Sequence, residues 1–309
     1  MMHLNRINNQ FSQLEKESAG TLGISAVHIE SGLTLHYNAE QYFLMCSTYK
    51  IPIAISLLTK IESGEISLVE TCEVHDYDLR SGAQFTLNLF DYSIPMRVSI
   101  RNLLQFMMQE SCNTSTDILL RLIGGPKAVT RDMLTLGFDI RVERYTLEIL
   151  ADWEGIKKYI TNHHCTLDQY NVYISKVSDV EIAKARLNFK RNLKDTATPA
   201  AMTQLLIQLF NTNLLNPANT HFLLDIMMGC KLGQARLKGM LPPHIKIAHK
   251  TGTLTGYVCD VGIITLPNST GNIAVSVYIK DSKKELAHNE RVLSEIGRTL
   301  YDFFFYHGN

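Results

Sequence analysis

Apolar residues form short strand-like segments near the two ends of this chain and recur at helical spacing through its middle. Five candidate strand segments lie near the two ends of the chain: 23–30, 33–37, 246–251, 258–266 and 273–279. The last three are rich in β-branched residues. Turn-forming residues separate these segments, so they are predicted to be β-strands. Helical spacing predicts one helix over residues 5–18. The closing helix carries one apolar face, made of Leu293, Ile296, Leu300 and Phe303.

The middle of the chain, from about residue 48 to 230, has a mostly helical pattern of apolar residues. The clearest helical segments are 103–108, 116–122, 200–210 and 222–228. The simplest assembly is an α/β (α+β) fold, in which both chain ends form one antiparallel sheet flanked by helices and an all-helical subdomain is inserted. We expect a single domain, 1–309. Its α/β subdomain comprises 1–46 and 231–309, and its helical subdomain comprises 47–230.

The composition excludes some partners without establishing the cellular compartment. The formal net charge is zero, so no basic surplus exists to neutralise a nucleic-acid backbone. The longest apolar run, 51–58, is about half of the roughly 20 residues that a membrane-spanning helix needs. The N-terminal residues lack a signal-peptide pattern, which indicates a cytoplasmic protein or a chain that has lost its leader. The six cysteines are scattered, which favours free thiols. We expect a monomer with no metal and no cofactor.

The first candidate for chemistry is the segment Ser47-Thr-Tyr-Lys50. Residues three apart in the first turn of a helix share a face, so this serine and lysine are close enough to hydrogen-bond. A serine hydroxyl becomes a nucleophile when a neighbouring group takes its proton, and a partly dehydrated lysine can do so. An ordinary surface pair has the same spacing, so the motif alone decides nothing.

Two further segments carry polar residues suited to proton transfer and binding. Ser111-Cys-Asn113 fits a helix N-cap, but it also fits a hydroxyl that relays a proton beside an amide that orients a substrate. The segment Lys250-Thr-Gly-Thr253 ends a predicted strand. Its lysine can attract a substrate carboxylate, and its glycine lets a substrate lie close to the strand.

The order and separation of these motifs are more specific than any one of them. Ser-x-x-Lys, Ser-x-Asn about sixty residues later and a late Lys-Thr-Gly together resemble the class A β-lactamases and the penicillin-binding proteins. Other segments resemble the class A family over nearly the whole chain: 43–50, 122–126, 195–202, 224–228 and 260–264. The resemblance implies a β-lactamase-like fold with the active site between the sheet and the helical subdomain.

The resemblance also implies an acyl-enzyme mechanism. Ser47 would attack the carbonyl of a β-lactam or a related amide, and the backbone N–H groups of Ser47 and Thr253 would form the oxyanion hole. Lys50 would take the serine proton, and Ser111 would pass a proton to the leaving nitrogen. Asn113 would hold the side-chain amide of the substrate.

A substrate carboxylate would bind at the end of the late strand. The residues implied there are Lys250, Thr251, Gly252 and Thr253. Many family members add an arginine on the following strand, where this chain has Val258. Arg236 is our candidate for a replacement arginine, because other members carry a substitute near the end of the preceding helix.

The residues that the family uses to hydrolyse the acyl-enzyme are altered in this chain. A glutamate in a run of the form Arg-x-Glu-Pro-x-Leu-Asn normally activates the water that hydrolyses the acyl-enzyme. Aligned on Arg144, this chain has Thr146 at the glutamate position and Leu150 at the asparagine position. A threonine hydroxyl is not a general base near neutral pH. A nearby carboxylate could take over the role, and we prefer Glu148. The other candidates are Glu143, Asp152 and Glu154.

The same loop, about 147–194, contains an insertion that we expect to form a helical cover over the site. Helical spacing is present for Leu147, Ile156, Tyr159 and Ile160. The run His163-His-Cys165 invites a metal-site interpretation, but no second ligand pair follows at a zinc-like spacing. We also expect an ion pair between Arg144 and Asp195 at the base of the loop.

Three functions stay open at this point. The chain could be a β-lactam hydrolase with an altered deacylating loop, a slow-deacylating protein similar to a penicillin-binding protein or cell-wall peptidase, or a non-catalytic sensor. The complete set of acylation residues disfavours the sensor. We predict a β-lactamase-type serine hydrolase with weak turnover of common penicillins. By analogy with the family, we expect it to be periplasmic or secreted.

Overall fold

The computed structural model describes residues 2–81, 95–156 and 164–308. Its strands are β1 (Thr21–His28), β2 (Thr34–Tyr37), β3 (Phe43–Leu44), β4 (Thr71–Val74), β5 (Met96–Ser99), β6 (Thr196–Ala197), β7 (Ile247–Leu254), β8 (Tyr257–Thr265) and β9 (Asn272–Lys280). Its helices are α1 (Met2–Ser18), α2 (Lys50–Glu62), α3 (Ile100–Gln109), α4 (Asn113–Leu122), α5 (Pro126–Thr135), α6 (Thr146–Glu154), α7 (Leu167–Ile174), α8 (Asp179–Arg191), α9 (Pro199–Phe210), α10 (Pro217–Met228) and α11 (Leu286–His307).

The main sheet is antiparallel and has the strand order β2-β1-β9-β8-β7. Two of its strands come from the start of the chain and three from the end, so the predicted joining of the two ends is confirmed. Nearly every position of β8 and β9 is buried. Helices cover both faces of this sheet, which explains why these strands are continuously apolar rather than alternating.

The side chains of β9 show how the two faces are divided. Ile273, Val275 and Val277 belong to a core formed with α1 and α11. Ala274 and Tyr278, which point to the opposite face, belong to the larger core that includes α9. This is the two-residue period of a strand. Although α9 lies within the predicted helical subdomain, it packs against the sheet and covers one of its faces.

The rest of the larger core is built around α2. A continuous run of this helix, from Lys50 to Leu58, is buried beneath α3, α4 and α5. Two small strand pairs, β3 with β6 and β4 with β5, brace this region. The hydrophobic pattern did not predict them, because segments of two to four residues carry too little periodicity to be recognised.

Within its described residues, 145–156 and 164–194, the loop after Arg144 contains three helices, α6, α7 and α8. A small core holds α6 and α7 together through Leu147, Ile156 and Tyr170. Trp153 of α6 contacts the rings of Phe189 and Tyr257, with centroid distances of 5.4 and 6.1 Å. The described part of the insertion is therefore helical, as predicted, and α6 packs against the end of the main sheet. Two positions of the predicted pattern, Tyr159 and Ile160, lie outside the described residues.

The predicted ion pair at the base of this loop is confirmed. Arg144 Nε donates to Asp195 Oδ2 at 2.6 Å, and both side chains are buried. Asp195 Oδ1 also accepts the backbone N–H groups of Glu143 and Arg144. The carboxylate therefore ties the two ends of the insertion together.

Two residues of the His163-His-Cys165 run lie in different surroundings. His164 stacks on Tyr77, whereas Cys165 is buried in the small core of the insertion, and His163 lies outside these ranges. Over residues 2–81, 95–156 and 164–308, no group of three or more His, Cys, Asp and Glu side chains is placed to hold a metal ion. No helix there combines the length and apolarity needed to cross a bilayer.

Candidate active site

Ser47 lies in a single 3-10 turn, Cys46–Tyr49, that leads directly into α2. The turn is held by Thr48, whose hydroxyl donates to the Met45 carbonyl oxygen at 2.7 Å. Cys46 has a φ of 46°, a left-handed conformation that is strained for a residue with a side chain. The turn presents Ser47 at the N-terminal end of α2, where the helix dipole favours developing negative charge.

Lys50 connects the three segments that the sequence singled out. Its Nζ lies 2.8 Å from the Ser111 carbonyl oxygen, 3.1 Å from Ser111 Oγ and 2.9 Å from Asn113 Oδ1. A fourth, longer contact of 3.3 Å reaches Ser47 Oγ. Three oxygen atoms therefore fix the amine beside the nucleophile.

The electrostatic surroundings of Lys50 disfavour its charged form. The side chain is fully buried. Burial and the positive charge of Lys250 hold the pKa of Lys50 well below its ordinary value. A lysine that readily loses its proton can then accept one from Ser47, which is the requirement for a general base.

Ser111 and Asn113 reach Lys50 because of the turn between α3 and α4. Ser111 has a φ of 58°, and this left-handed residue redirects the chain between the two helices. The N-cap of α4 is Cys112, whose Sγ accepts the Ser115 N–H at 3.4 Å. Because Cys112 provides the cap, the polar side chains on either side of it are left for the site. Asn113 Nδ2 also donates to the Ser81 carbonyl oxygen at 3.0 Å.

The opposite side of the site is the end of β7. Lys250 is fully buried and donates to the Thr251 carbonyl oxygen at 3.0 Å, and burial lowers its pKa to about 8. Gly252 is required sterically, since a Cβ there would lie 2.5 Å from Cys259 Sγ and 2.9 Å from the Met45 carbonyl oxygen. Only a glycine lets β7 pass this close to the turn that carries the nucleophile.

Arg236 supports β7 from behind. Its Nη1 donates to the carbonyl oxygens of Gly252 and Cys259, at 2.9 and 3.0 Å, and its Nη2 donates to Thr253 Oγ1 at 2.7 Å. Glu290 pairs with its Nε at 3.1 Å. The guanidinium is therefore buried against the strand and touches Thr253, rather than lining the open cleft as Val258 does.

These elements enclose a cleft of about 780 Å³. Its lining includes Ser47, Ser111, Asn113, Thr251, Gly252 and Thr253. A further wall comes from residues 282–286, which form the loop before α11 and the first residue of that helix. The volume suits a small molecule. Of the residues that the sequence predicted, the structure brings the nucleophile, the two lysines, the Ser-x-Asn pair and the strand end to one place.

Comparison with known proteins agrees with this arrangement. A family model described as the β-lactamase enzyme family matches residues 6–304. The chain belongs to that family. It is 28% identical to β-lactamase VEB-1 of Pseudomonas aeruginosa over 94% of this chain and 87% of that protein. It is 24% identical to the extended-spectrum β-lactamase PER-1 of the same species, over 96% and 87%.

Solved β-lactamase structures share the fold. The TLA-1 extended-spectrum β-lactamase superposes with a TM-score of 0.78 at 25% identity, over 97% of this chain and 99% of that one. A β-lactamase from Chitinophaga pinensis gives 0.76 at 26% identity, over 96% and 99%. The predicted β-lactamase-like fold is confirmed.

The loop position that holds glutamate in many β-lactamases is closed off in this chain. Thr146 is buried, and its Oγ1 lies 2.6 Å from the hydroxyl of Tyr49, the residue before Lys50. Leu150 lines the cleft where the family run has asparagine. The hydroxyl of Thr146 is therefore engaged with another hydroxyl, and an apolar side chain faces the substrate space.

The structure argues against Glu148 as the water-activating base. Its Oε2 accepts the Tyr145 N–H at 2.8 Å in a capping box at the start of α6. Asp152 pairs with Arg144 at 2.8 Å, and the Glu154 carboxylate pairs with an arginine of α8 at 3.1 Å. None of these carboxylates lines the cleft, and Glu143 does not line it either. On α6, the side chain that faces the cleft is that of Leu150 and not a carboxylate.

Two contributors to the site were missed by sequence reasoning. Asp117 of α4 accepts the N–H groups of Thr146 and Leu147 and thereby holds the start of α6. Tyr49 contacts Thr146 from below the nucleophile turn. An aspartate between the polar start and the apolar end of α4 was the available signal, but its partner lies 29 residues away.

Proposed function

We propose that this protein is a serine β-lactam hydrolase that forms a covalent acyl-enzyme on Ser47. The observation that carries the proposal is the position of Lys50 Nζ, which contacts Ser47, Ser111 and Asn113 while being fully buried. The relatives that match nearly the whole chain are named β-lactamases. Both points support a chemistry that needs an activated serine.

In the acylation step, neutral Lys50 accepts the proton of Ser47 Oγ while this oxygen attacks the lactam carbonyl carbon. The backbone N–H groups of Ser47 and Thr253 stabilise the oxyanion of the tetrahedral intermediate. Collapse of the intermediate breaks the carbon–nitrogen bond. Ser111, which lies 3.1 Å from Lys50 Nζ, donates a proton to the departing nitrogen and regains one from the lysine.

The substrate carboxylate binds at the other side of the cleft. Lys250 supplies the positive charge, and the hydroxyl groups of Thr251 and Thr253 donate hydrogen bonds to the carboxylate. Arg236 orients the Thr253 hydroxyl through its 2.7 Å contact and adds positive charge behind the strand. Asn113 contacts the side-chain amide of the substrate.

We further propose that deacylation is slow. Water needs a general base beside the ester, and the Thr146 hydroxyl is neither basic nor free of its bond to Tyr49. Among the described residues that line the cleft, the only carboxylate is Glu285, an exposed residue that precedes α11. It belongs to the loop before α11 and not to α6, the helix that begins at Thr146.

The main experiment is intact-mass spectrometry after mixing the protein with benzylpenicillin. We expect a lasting adduct of the penicillin mass on the wild-type protein and on Ser63→Ala, which removes an exposed serine at the end of α2. Ser47→Ala should form none. Absence of any wild-type adduct, together with absence of hydrolysis, contradicts the hydrolase proposal and favours a non-catalytic sensor.

The lifetime of the adduct tests the second proposal. Thr146→Glu should shorten it, because the new carboxylate stands where the family places its base. Glu285→Gln should leave the lifetime unchanged. Rapid steady-state nitrocefin hydrolysis by the wild type, with no lasting adduct, would show that deacylation is efficient. A lasting adduct with no turnover favours behaviour similar to that of a penicillin-binding protein.

We also propose that the protein acts in the periplasm or outside the cell, as a monomer. β-Lactams and cell-wall peptides are met in those compartments, and members of the β-lactamase family act on such small molecules. Fractionation of producing cells with a compartment marker tests the location. Size-exclusion chromatography with light scattering tests the oligomeric state.

A further inference from the structure

The cleft extends beyond the end of β7. Residues 254–256 line this part, which we call the outer cleft. The backbone N–H of Ser282 donates to the Gly256 carbonyl oxygen at 3.0 Å, so the segment before α11 lies directly beside this turn. The next two residues, Lys283 and Lys284, also line the cleft. Two basic side chains are therefore placed at the outer cleft.

The outer cleft lies on the side of the reacting centre that faces away from Lys250. A strand rises about 3.3 Å per residue, so Leu254 is about 13 Å along β7 from this lysine. In the proposed mode of binding, the substrate carboxylate lies beside Lys250 and the lactam carbonyl beside Ser47. The carboxylate and the acylamino side chain of a penicillin are attached to opposite ends of its fused rings. The acyl side chain therefore points along the strand towards the outer cleft.

The insertion borders the outer cleft. Leu150 of α6 lines the cleft, and Trp153, three residues later on the same face of the helix, lines a neighbouring cavity of about 330 Å³. The two cavities share three lining residues: Thr255, Gly256 and Ser282. The acyl side chain of a substrate in the outer cleft would therefore lie between the insertion and the segment before α11.

The insertion also contributes charge near the outer cleft, but this charge is balanced. Arg186 and Lys190 of α8 line the neighbouring cavity. Arg186 pairs with the Glu154 carboxylate at 3.1 Å, and Lys190 pairs with Asp281 at 2.6 Å. Each of these two cations already has an acidic partner, so α8 adds little net charge.

The charges of Lys283 and Lys284 are not balanced in this way. Both side chains are exposed, and neither forms an ion pair with another described residue. Glu285, which follows them in the wall of the cleft, offsets one of the two charges. An excess of positive charge therefore faces the outer cleft, and an anionic group would be attracted to it.

Hydrogen bonds hold the backbone that carries these two lysines. Ser282 Oγ donates to the Ser18 carbonyl oxygen at 2.6 Å and accepts the Lys284 N–H at 3.1 Å. Asn289, a buried residue of α11, donates from Nδ2 to the Lys284 carbonyl oxygen at 3.3 Å. Binding to a backbone that is already ordered costs less conformational entropy than ordering a free loop. The wall is therefore suited to selecting among substrates.

We propose that the outer cleft is a subsite for a second acidic group of the substrate, and that Lys283 and Lys284 bind this group. The substrate class is then a β-lactam whose acyl side chain ends in a carboxylate, in addition to the carboxylate on its ring system. The two lysines determine specificity and take no part in the bond changes at Ser47. This inference rests on the proposed function, because it names the substrate class of the same site.

Two penicillins that differ in a single group test the subsite. Adipoyl penicillin and hexanoyl penicillin have acyl side chains of equal length, which end in a carboxylate and in a methyl group. The measurement is the second-order rate of adduct formation on Ser47, followed by intact-mass spectrometry. We expect the wild type to react about 3–10-fold faster with the adipoyl compound, as one or two exposed ion pairs would allow. This advantage should shrink at high salt, because exposed charges are screened.

Variants of the two lysines assign the preference. The double variant Lys283→Gln with Lys284→Gln should lose the advantage of the adipoyl compound, and Lys283→Glu with Lys284→Glu should reverse it. Lys246→Gln, which removes an exposed lysine just before β7, should keep the wild-type ratio of rates.

The possible failures can be told apart. A wild-type protein that reacts with both penicillins at equal rates, or faster with the hexanoyl compound, overturns the subsite and leaves the proposed function intact. An adipoyl advantage that persists in the glutamine double variant overturns the assignment to Lys283 and Lys284. If neither penicillin forms an adduct with the wild type, the proposed function fails, and the subsite fails with it.

Discussion

Asp117 is the residue whose substitution should reveal most about how the altered loop is held. Three donors converge on its buried carboxylate. Oδ1 accepts the Thr146 N–H at 2.7 Å, and Oδ2 accepts the Leu147 N–H at 3.2 Å and Arg80 Nε at 2.8 Å. The side chains of Asp117 and Arg80 are each about 1% exposed. Asp117→Asn keeps the shape of this side chain but replaces one acceptor oxygen with a donor.

The size of the stability loss in Asp117→Asn follows from the burial of the ion pair between Asp117 and Arg80. An asparagine has one oxygen for three donors, so its NH2 group must face either a backbone N–H or the guanidinium of Arg80. Removing one partner of a buried ion pair typically costs about 3–5 kcal/mol, since the remaining charge is left uncompensated. For a protein of this size, such a loss corresponds to a fall in Tm of about 5–8 °C.

Urea unfolding and differential scanning calorimetry of Asp117→Asn measure this loss directly. The control is Asp302→Asn, which removes an exposed partner of Arg298 on α11 and should cost less than about 1 kcal/mol. If the two variants lose similar stability, the interpretation of Asp117 as the charged anchor of α6 is wrong. The adduct lifetime in Asp117→Asn should also change, because Thr146 is attached to the same anchor.

The remaining predictions concern the cleft. Affinity for anionic β-lactams should be full below about pH 7 and should fall as the pH rises through about 8, because Lys250 is cationic below its pKa and neutral above it. Measuring KM across this range checks the prediction, with a neutral ester analogue as the control. Lys50→Met should slow adduct formation on the serine by about 10²–10⁴-fold, the usual contribution of a general base, and a stopped-flow rate within tenfold of wild type would argue against that role. Gly252→Ala should cost about 1–3 kcal/mol of stability and most of the acylation rate, because the new methyl group would lie 2.5 Å from Cys259 Sγ and 2.9 Å from the Met45 carbonyl oxygen. A stability and an acylation rate equal to those of the wild type would show that β7 can shift.

Much of the architecture could be predicted from local patterns. The candidate strand segments at the two ends became β1, β2, β7, β8 and β9, with bounds within about three residues of the prediction. The spacing of Ser47 and Lys50 predicted their contact, because residues three apart share a helical face. The order of the motifs predicted the family. All of this information lies within one helical turn, one strand or the linear order of the chain.

The tertiary structure decided which of these polar groups act together. Lys50 meets Ser111 and Asn113 across more than sixty residues, and no local pattern specifies those distances. The sequence favoured Glu148 as a base because it is near Thr146 in the chain, yet the helix turns it into a capping box and places Leu150 in the cleft.

The sequence also could not predict which buried groups carry a charge. Lys50 and Lys250 are 200 residues apart, and the charge of Lys250 lowers the pKa of Lys50 only because the turn that leads into α2 packs against β7. A short stretch of chain determines backbone conformation and the face that a side chain occupies. The pKa values and partners of buried groups depend instead on desolvation and on charges from distant segments, which exist together only once the sheet and the helices have packed.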